Sequence, residues 1–374
     1  RVLLRGSFTR KYNESKGSWG EDTNTYVMTY DKNNDWYFIN VPYEKLRPGY
    51  SGQVEYKFYV DKFVKGCTDA DFIDPKTIFN EDEKDIMMFF GDETEERLQE
   101  IEANKPLASV IKELEKFNIA EKQDRADITN FRLVPGTTTL YRSYHPYYPS
   151  HSQTYLKDKD IPTEYVRIEE LKKLIEEKGI KTDINLCQDR SDKVGSTYTV
   201  YNYDTPFRID IPSCYKNIQN NNRVLYVGDK TAVVPGNDVI PEGEHVYYNS
   251  DSQYMLDWVK QIVDFINMDN SKAPFLIHCE IGVDRTGVFS AIFAGLCGAS
   301  WEEIAEDYKM SNRMQIGEFR DVNVLEYSFE RMLGVEDITK ESDIKSLLVN
   351  YFTTKGGMTQ TDLDKTVQKL TSAL

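Results

Sequence analysis

The sequence predicts an α/β domain with a central sheet flanked by helices, preceded by an all-β, Ig-like sandwich. Aromatic and β-branched strands occupy the first 90 residues, and helices alternate with short apolar strands after that point. An acidic boundary separates the two regions, because Glu81–Glu102 holds ten acidic and two basic residues. We therefore expect domains at residues 1–90 and 91–335, with a helical extension at 336–374 that packs on the second domain.

The strands of the first region are expected at Tyr26–Tyr30, Trp36–Val41 and Val54–Val60. Turn-forming residues separate them, at Asp31 to Asn34 and at Pro48-Gly49. Short strands at this spacing favour a small β-sandwich. The acidic boundary is interpreted as a solvated linker that passes into a helix. A calcium site is the alternative, although the stretch lacks the regular ligand spacing of a calcium-binding loop.

The second region alternates between helical and strand patterns. The helix at Thr163–Lys178 leads through Gly179 into a candidate strand at Ile180–Leu186, and the helix at Ser252–Met268 precedes a buried strand at Phe275–Ile277. Further helices are expected at Pro106–Phe117, Thr286–Leu296, Trp301–Met310, Val322–Met332, Ile344–Phe352 and Thr359–Leu370. This order indicates a sheet that is covered by helices on both faces.

Composition excludes several classes of protein. The 374 residues carry 46 Lys and Arg against 62 Asp and Glu, and this net charge of −16 argues against a nucleic-acid binder. The longest mostly apolar run, Val288–Ser300, is too short for a membrane span. Five cysteines without a CxxC pair predict neither a disulfide framework nor a zinc site. Because the chain starts at Arg1 rather than Met, we expect a trimmed leader, and the compartment stays open between cytoplasm, envelope and secretion.

The segment from Phe275 to Gly287, Phe-Leu-Ile-His-Cys-Glu-Ile-Gly-Val-Asp-Arg-Thr-Gly, carries the strongest chemical signal. We expect a strand that ends at His278, a loop from Cys279 to Arg285 and a helix from Thr286. Successive backbone N–H groups of such a loop surround one point, and the positive end of the helix faces it. The segment therefore predicts a cradle for a phosphate group.

Three residues of the segment fit this interpretation. Gly282 allows the backbone to approach a ligand closely, and Arg285 can bind two phosphate oxygens through its planar guanidinium. Cys279 lies at the bottom of the cradle, where the amides and the helix end favour the thiolate. A thiolate beneath a bound phosphorus atom is positioned for in-line attack. A buried, inert core thiol is the alternative for an isolated cysteine.

The motif His278-Cys-x5-Arg-Thr286 resembles the signature of the cysteine-dependent protein tyrosine phosphatases. Leu140-Tyr-Arg-Ser143, Asp284-Arg-Thr-Gly287 and the stretch Ile304–Asn312 resemble motifs of the bacterial, tyrosine-phosphatase-3-like branch of that superfamily. These resemblances span roughly residues 130–335. The loop is also similar to that of the phosphatase-like phytases.

The resemblance implies a role for each matching residue. Cys279 would form a phosphocysteine intermediate, Arg285 would hold the equatorial oxygens, and Thr286 would stabilise the leaving thiolate. His278 would support the thiolate by hydrogen bonding. The remaining loop residues would bind the substrate phosphate, and these are Glu280, Ile281, Gly282 and Val283. Arg142 would orient the cradle or contact the substrate, and the alternative is that it pairs with a carboxylate. No cofactor and no metal ion are expected.

The general acid has two main candidates, because the leaving oxygen needs a proton from a carboxylic acid. Asp251 precedes the helix Ser252–Met268, in the region where the wider superfamily supplies its acid from a mobile loop, and it is slightly favoured. It could instead be the N-cap of that helix. Asp284 lies within the cradle, where it could be the acid or a structural hydrogen-bonding residue. Asp204 and Asp210 are more remote candidates.

The first region resembles the glycogen- and starch-binding sandwich modules. The matching segments are Val2–Phe8, Trp36–Pro42 and Tyr56–Asp61, with Phe72–Pro75 similar to the end of the pattern. The resemblance implies a glucan ligand stacked on Trp19 or Trp36, and a protein ligand is the alternative. A glucan ligand would make the architecture similar to the laforin-type glucan phosphatases.

The sequence therefore predicts a metal-independent phosphomonoester hydrolase, a protein tyrosine or dual-specificity phosphatase. The expected substrate is a phosphorylated protein or a small phosphomonoester. An inositol polyphosphate phosphatase of the phytase type and a glucan phosphatase are the enzymatic alternatives. A pseudophosphatase that acts as a binding module is the non-enzymatic one.

Overall fold

The computed structural model describes two compact units of the chain. Unit 1 consists of Arg1–Pro106 with Phe319–Tyr327, and unit 2 consists of Leu107–Glu318 with Ser328–Leu374. The residues described are 2–6, 26–41, 46, 54–60, 63–65, 78–80, 85–88, 118–147, 161–186, 197–198, 207–208, 213–227, 245–314 and 320–373. The domain boundaries expected from the sequence stay predictions.

The described part of unit 1 contains a five-stranded antiparallel sheet and a separate hairpin. The strands are β1 (Val2–Gly6), β2 (Thr29–Asp31), β3 (Trp36–Phe38), β4 (Val54–Val60), β5 (Phe63–Lys65), β6 (Ile78–Asn80) and β7 (Asp85–Met88). The sheet has the order β1-β4-β7-β6 with β5 paired to β4, and β2 and β3 form the hairpin. The three strand regions expected from the sequence therefore contain strands, while the sandwich itself stays a prediction.

Unit 2 is built on a mixed five-stranded sheet with the order β13-β10-β14-β9-β8. The strands are β8 (Arg132–Leu133), β9 (Leu140–Ser143), β10 (Thr182–Asn185), β11 (Thr197–Tyr198), β12 (Phe207–Arg208), β13 (Val224–Tyr226) and β14 (Phe275–His278). Four strands are parallel, β8 is antiparallel to β9, and β11 pairs with β12 elsewhere. The central strand β14 is buried along its whole length, as its apolar sequence indicates.

Helices surround this sheet. They are α1 (Lys122–Thr129), α2 (Ile161–Glu177), α3 (Ser213–Asn220), α4 (His245–Tyr248), α5 (Gln253–Asn267), α6 (Asp284–Leu296), α7 (Trp301–Met310), α8 (Val322–Leu333), α9 (Ile344–Thr354) and α10 (Gln360–Thr371). The α/β class expected for this region is confirmed. Seven expected helices are present within about two residues of their predicted ends, and the expected helix Pro106–Phe117 lies outside the described residues.

Helix α6 is the centre of unit 2, because all of its residues are buried. Trp258 of α5 stacks on Phe289 with ring centroids 6.1 Å apart. On the side of α9, Gly295 lies so close to Leu348 and Ile344 that a Cβ at this glycine would come within 3.0 Å of both. The helix that follows the candidate loop is therefore fixed by packing from two directions.

The last helix is anchored to the sheet and to α5 by polar contacts. Thr138 and Thr139, just before β9, donate hydrogen bonds to the backbone carbonyls of Leu370 and Lys369 at the end of α10. The Lys369 ammonium donates to the carbonyls of Ile266 and Met268 at distances of 2.7 and 2.8 Å. These contacts place α10 against the C-terminal end of α5.

Candidate functional site

The candidate loop, Cys279–Val283, lies at the centre of the edge where β9, β10 and β14 end. His278 pairs in parallel register with Asn185 on one side and Ser143 on the other. Helix α6 begins at Asp284, so the prediction of a loop up to Arg285 was wrong by two residues. Asp284, Arg285 and Thr286 instead form the first helical turn, where backbone N–H groups point towards the loop.

Gly282 is required at its position for two reasons. Its φ of +77° lies in the left-handed region, which residues with a Cβ disfavour. A Cβ at this position would also overlap the backbone carbonyl of Ser143 and lie 3.0 Å from Nδ2 of Asn130. The loop therefore passes directly against the end of β9.

Two side chains hold the loop in this position through the carbonyl of Gly282. Asn130 Nδ2 and Arg142 Nη2 each donate a hydrogen bond of 2.9 Å to it. Arg142 is fully buried on β9, and Asn130 ends α1 in a left-handed conformation. Arg142 therefore contacts both the candidate loop and a carboxylate, while its role towards a substrate stays a prediction.

That carboxylate is Asp307 on α7, which pairs with Arg142 and also with Arg132 Nε at 2.6 Å. Ser311 accepts hydrogen bonds from both guanidiniums at 3.0 and 3.1 Å. Burial alone would raise the pKa of Asp307, but the two guanidiniums outweigh this effect and hold the pKa below its ordinary value. Burial lowers the pKa of Arg132 to about 10. The cluster of Asn130, Arg132, Arg142, Asp307 and Ser311 is called the loop clamp below.

His278 belongs to a buried polar chain behind the loop. Its Nε2 lies 3.3 Å from Oδ2 of Asp183, and its Nδ1 lies 3.1 Å from the carbonyl of Cys279. The Tyr215 hydroxyl donates to the same Asp183 oxygen. Burial and the charge of Asp183 raise the pKa of Tyr215 well above its ordinary value, so its hydroxyl keeps its proton. These buried hydrogen bonds hold the His278 imidazole next to the backbone of Cys279.

Cys279 is a free thiol with 1% of its surface exposed, and it is the first residue of the candidate loop. Arg285, in the first turn of α6, lies close to this loop. Arg285 Nη1 donates to the carbonyl of Leu186, at the end of β10, over 2.9 Å. Its Nη2 lies 3.7 Å from the carboxylate of Glu280, whose side chain is 43% exposed. The structure thus brings a buried thiol, a guanidinium and the first turn of a helix to one place.

The other predicted loop residues face inwards. Ile281 and Val283 belong to a buried apolar cluster with Phe131 and Leu276, so only their backbone groups can face a ligand. The Thr286 hydroxyl is buried, and it has no hydrogen-bond partner within the described parts of the chain. A hydroxyl in this state is available to a group that occupies the loop.

The two candidate acids have different surroundings. Asp284 is 6% exposed and accepts a hydrogen bond of 2.9 Å from the Tyr247 hydroxyl. Asp251 precedes α5, where it pairs with Arg331 at 2.9 Å. The N-cap of the helix is Ser252, so the alternative interpretation of Asp251 as the N-cap was wrong. Of the two, Asp284 belongs to the segment that carries Cys279.

Several residues singled out from the sequence lie outside the described residues. They are the remote acid candidates Asp204 and Asp210 and the candidate glucan-binding residue Trp19, together with the side chain of Trp36. Within the part that is described, the structure contains no cluster of His, Cys, Asp and Glu that could hold a metal ion. No described helix is long and apolar enough to cross a membrane.

Sequence reasoning missed the residues that support the loop from a distance. Asn130, Asp183 and Tyr215 had no local signal, because they come from segments far from Cys279 in the chain. Tyr247, whose hydroxyl donates to Asp284, was missed for the same reason. Asp307 and Ser311 did carry a signal, since both lie in the stretch Ile304–Asn312 singled out above.

A model of the tyrosine phosphatase family matches residues 166–372, more than half of the chain, and this range contains the loop, α6 and α7. A search of curated proteins found no match.

Proposed function

Because this chain belongs to the tyrosine phosphatase family, we propose that it hydrolyses phosphomonoesters through a covalent phosphocysteine formed on Cys279. One observation carries the proposal. Cys279 lies between the end of a buried parallel strand and the N-terminus of a buried helix, with Arg285 in the first helical turn. Backbone N–H groups and the helix dipole favour an anion at such a point.

In the first step, the Cys279 thiolate attacks the phosphorus atom. An S–P bond forms while the bond from phosphorus to the leaving oxygen breaks, and that oxygen takes the proton of a carboxylic acid. Arg285 is placed to bind two of the equatorial oxygens with its planar donors. It would exchange its present contact with Glu280 for the phosphate, since Glu280 is half-exposed and 3.7 Å away.

In the second step, water attacks the phosphorus of the phosphocysteine. The carboxylate formed in the first step accepts a proton from this water, the S–P bond breaks, and inorganic phosphate leaves. The electron pair of that bond returns to sulfur, where the Thr286 hydroxyl can donate a hydrogen bond to the thiolate. The buried and unpartnered state of that hydroxyl within the described structure supports this role. No metal ion takes part in either step.

We assign the proton donor to Asp284 rather than Asp251, which the sequence slightly favoured. Asp284 lies in the first turn of α6, in the same short segment as Cys279 and Arg285. The carboxylate of Asp251 lies outside that segment, and its described ion pair is with Arg331 on α8.

The proposal is tested with p-nitrophenyl phosphate and three variants. Cys279→Ser should lose all measurable turnover while still binding phosphate, because serine in this loop is a far weaker nucleophile. Full activity in this variant would refute the mechanism. Asp284→Asn should lose the basic side of the pH–rate profile and Asp251→Asn should keep it; the reverse result would return the role to Asp251.

The substrate class that we propose is a phosphotyrosine-containing protein, and the match to the tyrosine phosphatase family supports this proposal. Parallel assays on a phosphotyrosine peptide, phytate and phosphorylated amylopectin would test it. A preference for phytate or for amylopectin would move the assignment to an inositol polyphosphate or a glucan phosphatase. No turnover of any of the three, with phosphate still bound, would indicate a pseudophosphatase. A glucan or protein ligand for residues 1–90 stays a separate prediction.

A further inference from the structure

The carboxylate of Asp284 is held by a pair of buried tyrosines. The Tyr247 hydroxyl donates to Oδ1 of Asp284 over 2.9 Å, and the Tyr308 hydroxyl lies 2.6 Å from that of Tyr247. Both tyrosines are at most 2% exposed. They come from different helices, α4 and α7, and converge on the first turn of α6.

The order of donors in this pair follows from the chemistry of the groups. An ionised carboxylate can only accept hydrogen bonds, and each phenol has one proton to donate. When Asp284 is ionised, the proton of Tyr247 points to Asp284, so Tyr308 must donate to Tyr247. The hydroxyl of Tyr308 therefore fixes the direction of the hydroxyl that contacts the acid.

Packing makes the arrangement rigid. The two rings are perpendicular, with centroids 6.4 Å apart and an interplanar angle of 88°. Tyr308 also lies against Gly287, where a Cβ would come within 2.7 Å of its ring. Just after α4, the Ser250 hydroxyl donates to the carbonyl of Ser328 over 2.7 Å. The Tyr308 ring therefore has little room to rotate beside Gly287, and its hydroxyl stays next to that of Tyr247.

We propose that Tyr247 is a positioning residue for proton transfer by Asp284, with Tyr308 orienting Tyr247. This inference rests on the proposed function of Asp284 as the general acid. Because Tyr247 occupies Oδ1, the proton of the acid is carried on Oδ2, which is the oxygen that must face the leaving group. As that proton departs, negative charge grows on the carboxylate and the hydrogen bond from Tyr247 becomes stronger. Tyr247 then stabilises the transition state more than the ground state.

The experiment measures kcat/KM for a series of aryl phosphates whose leaving phenols differ in basicity. A positioned general acid contributes about 10²–10⁴-fold to such reactions, and its contribution is largest when the leaving group is poor. The kcat/KM of the wild type should therefore depend only weakly on the basicity of the leaving phenol. Tyr247→Phe keeps the ring and removes the hydroxyl, so we expect about a tenfold loss on phenyl phosphate and less than about a twofold loss on p-nitrophenyl phosphate.

Two further variants keep the test decisive if Tyr247→Phe folds poorly. Tyr308→Phe should also lose more kcat/KM on phenyl phosphate than on p-nitrophenyl phosphate, but the loss on phenyl phosphate should be only about threefold. The loss is smaller because the Tyr247 hydroxyl remains and is only less well oriented. Tyr351→Phe is the matched control. Tyr351 is a buried tyrosine on α9 whose hydroxyl has no hydrogen-bond partner within the described residues, so its loss should leave the series unchanged.

The outcomes separate this inference from the function on which it rests. An equal loss on all aryl phosphates in Tyr247→Phe, or no loss at all, would overturn the positioning role even if Asp284→Asn behaves as an acid variant should. If Asp284→Asn itself keeps the weak dependence of the wild type, both the acid assignment and the inference fail. Inactivity of Cys279→Ser would still support the phosphocysteine in that case.

Discussion

Substitution of Gly282 by alanine tests how closely the loop approaches the end of β9. Two costs add at this position. The φ of +77° costs a residue with a Cβ roughly 1–2 kcal/mol. The new Cβ would also overlap the carbonyl of Ser143, which is backbone at a strand end and cannot rotate away, and overpacking of this kind costs about 1–3 kcal/mol. The expected loss in the free energy of unfolding is therefore about 2–5 kcal/mol.

The effect on activity should be larger than the effect on stability. The overlap must displace the loop, and a shift of about 1 Å at a reacting centre can cost about a hundredfold in rate. We expect kcat for p-nitrophenyl phosphate to fall by about this factor at a temperature where the variant remains folded. The carbonyl of Gly282 would also move away from its two donors in the loop clamp, Asn130 and Arg142.

Gly179 provides a matched control. Its φ is +60°, but a Cβ there would meet no atom within 4 Å. Gly179→Ala should therefore carry only the backbone cost of roughly 1–2 kcal/mol and leave kcat unchanged. Urea unfolding and steady-state kinetics on both variants give the comparison. If Gly282→Ala matched Gly179→Ala in stability and activity, the close approach of the loop to β9 would be refuted.

Three other predictions follow from the contacts around the loop. Asp307→Asn leaves two buried guanidiniums without their counter-charge, so it should lower the free energy of unfolding by about 3–5 kcal/mol in urea near neutral pH. Because the pKa of Asp307 is lowered in the folded state, the extra stability of the wild type should disappear as the pH falls below 3.8. A difference in stability that does not change with pH would contradict the pairing. Tyr215→Phe removes a donor to the buried Asp183, so it should lower the free energy of unfolding by about 2 kcal/mol in urea. An unchanged free energy of unfolding would mean that this hydrogen bond does not contribute to stability. Arg331→Ala breaks the half-exposed ion pair with Asp251, so it should lower the free energy of unfolding by at most about 1 kcal/mol and leave kcat unchanged. A large fall in kcat would implicate Asp251 in the reaction.

The elements that position the candidate site could be predicted from the sequence where the signal was local. The apolar run Phe275–Ile277 identified the central strand, and the stripe along Ser252–Met268 identified α5 within one residue at each end. The start of α6 was misplaced, because Asp284 and Arg285 were interpreted as loop residues. Asp and Glu are common in the first turn of a helix, where they complement its dipole, so the boundary was open to either interpretation.

The supporting contacts could not be predicted, because they join segments that are distant in the chain. Arg142 and Asp307 were each singled out by motif, but only the fold shows that they pair with one another and hold Gly282. Helix α4 is too short for a periodic pattern, so Tyr247 gave no sign of its contact with Asp284. Contacts of this kind depend on the tertiary structure and not on local sequence.

The central claim is that Cys279 carries the phosphoryl group during turnover. Rapid acid quenching of the enzyme during hydrolysis of p-nitrophenyl phosphate, followed by mass spectrometry of the peptide that contains Cys279, tests it directly. We expect a phosphate adduct on the Cys279 sulfur that forms within the first turnover and disappears when the substrate is exhausted. Steady turnover with no adduct on this residue, or an adduct on a different residue, would contradict the account.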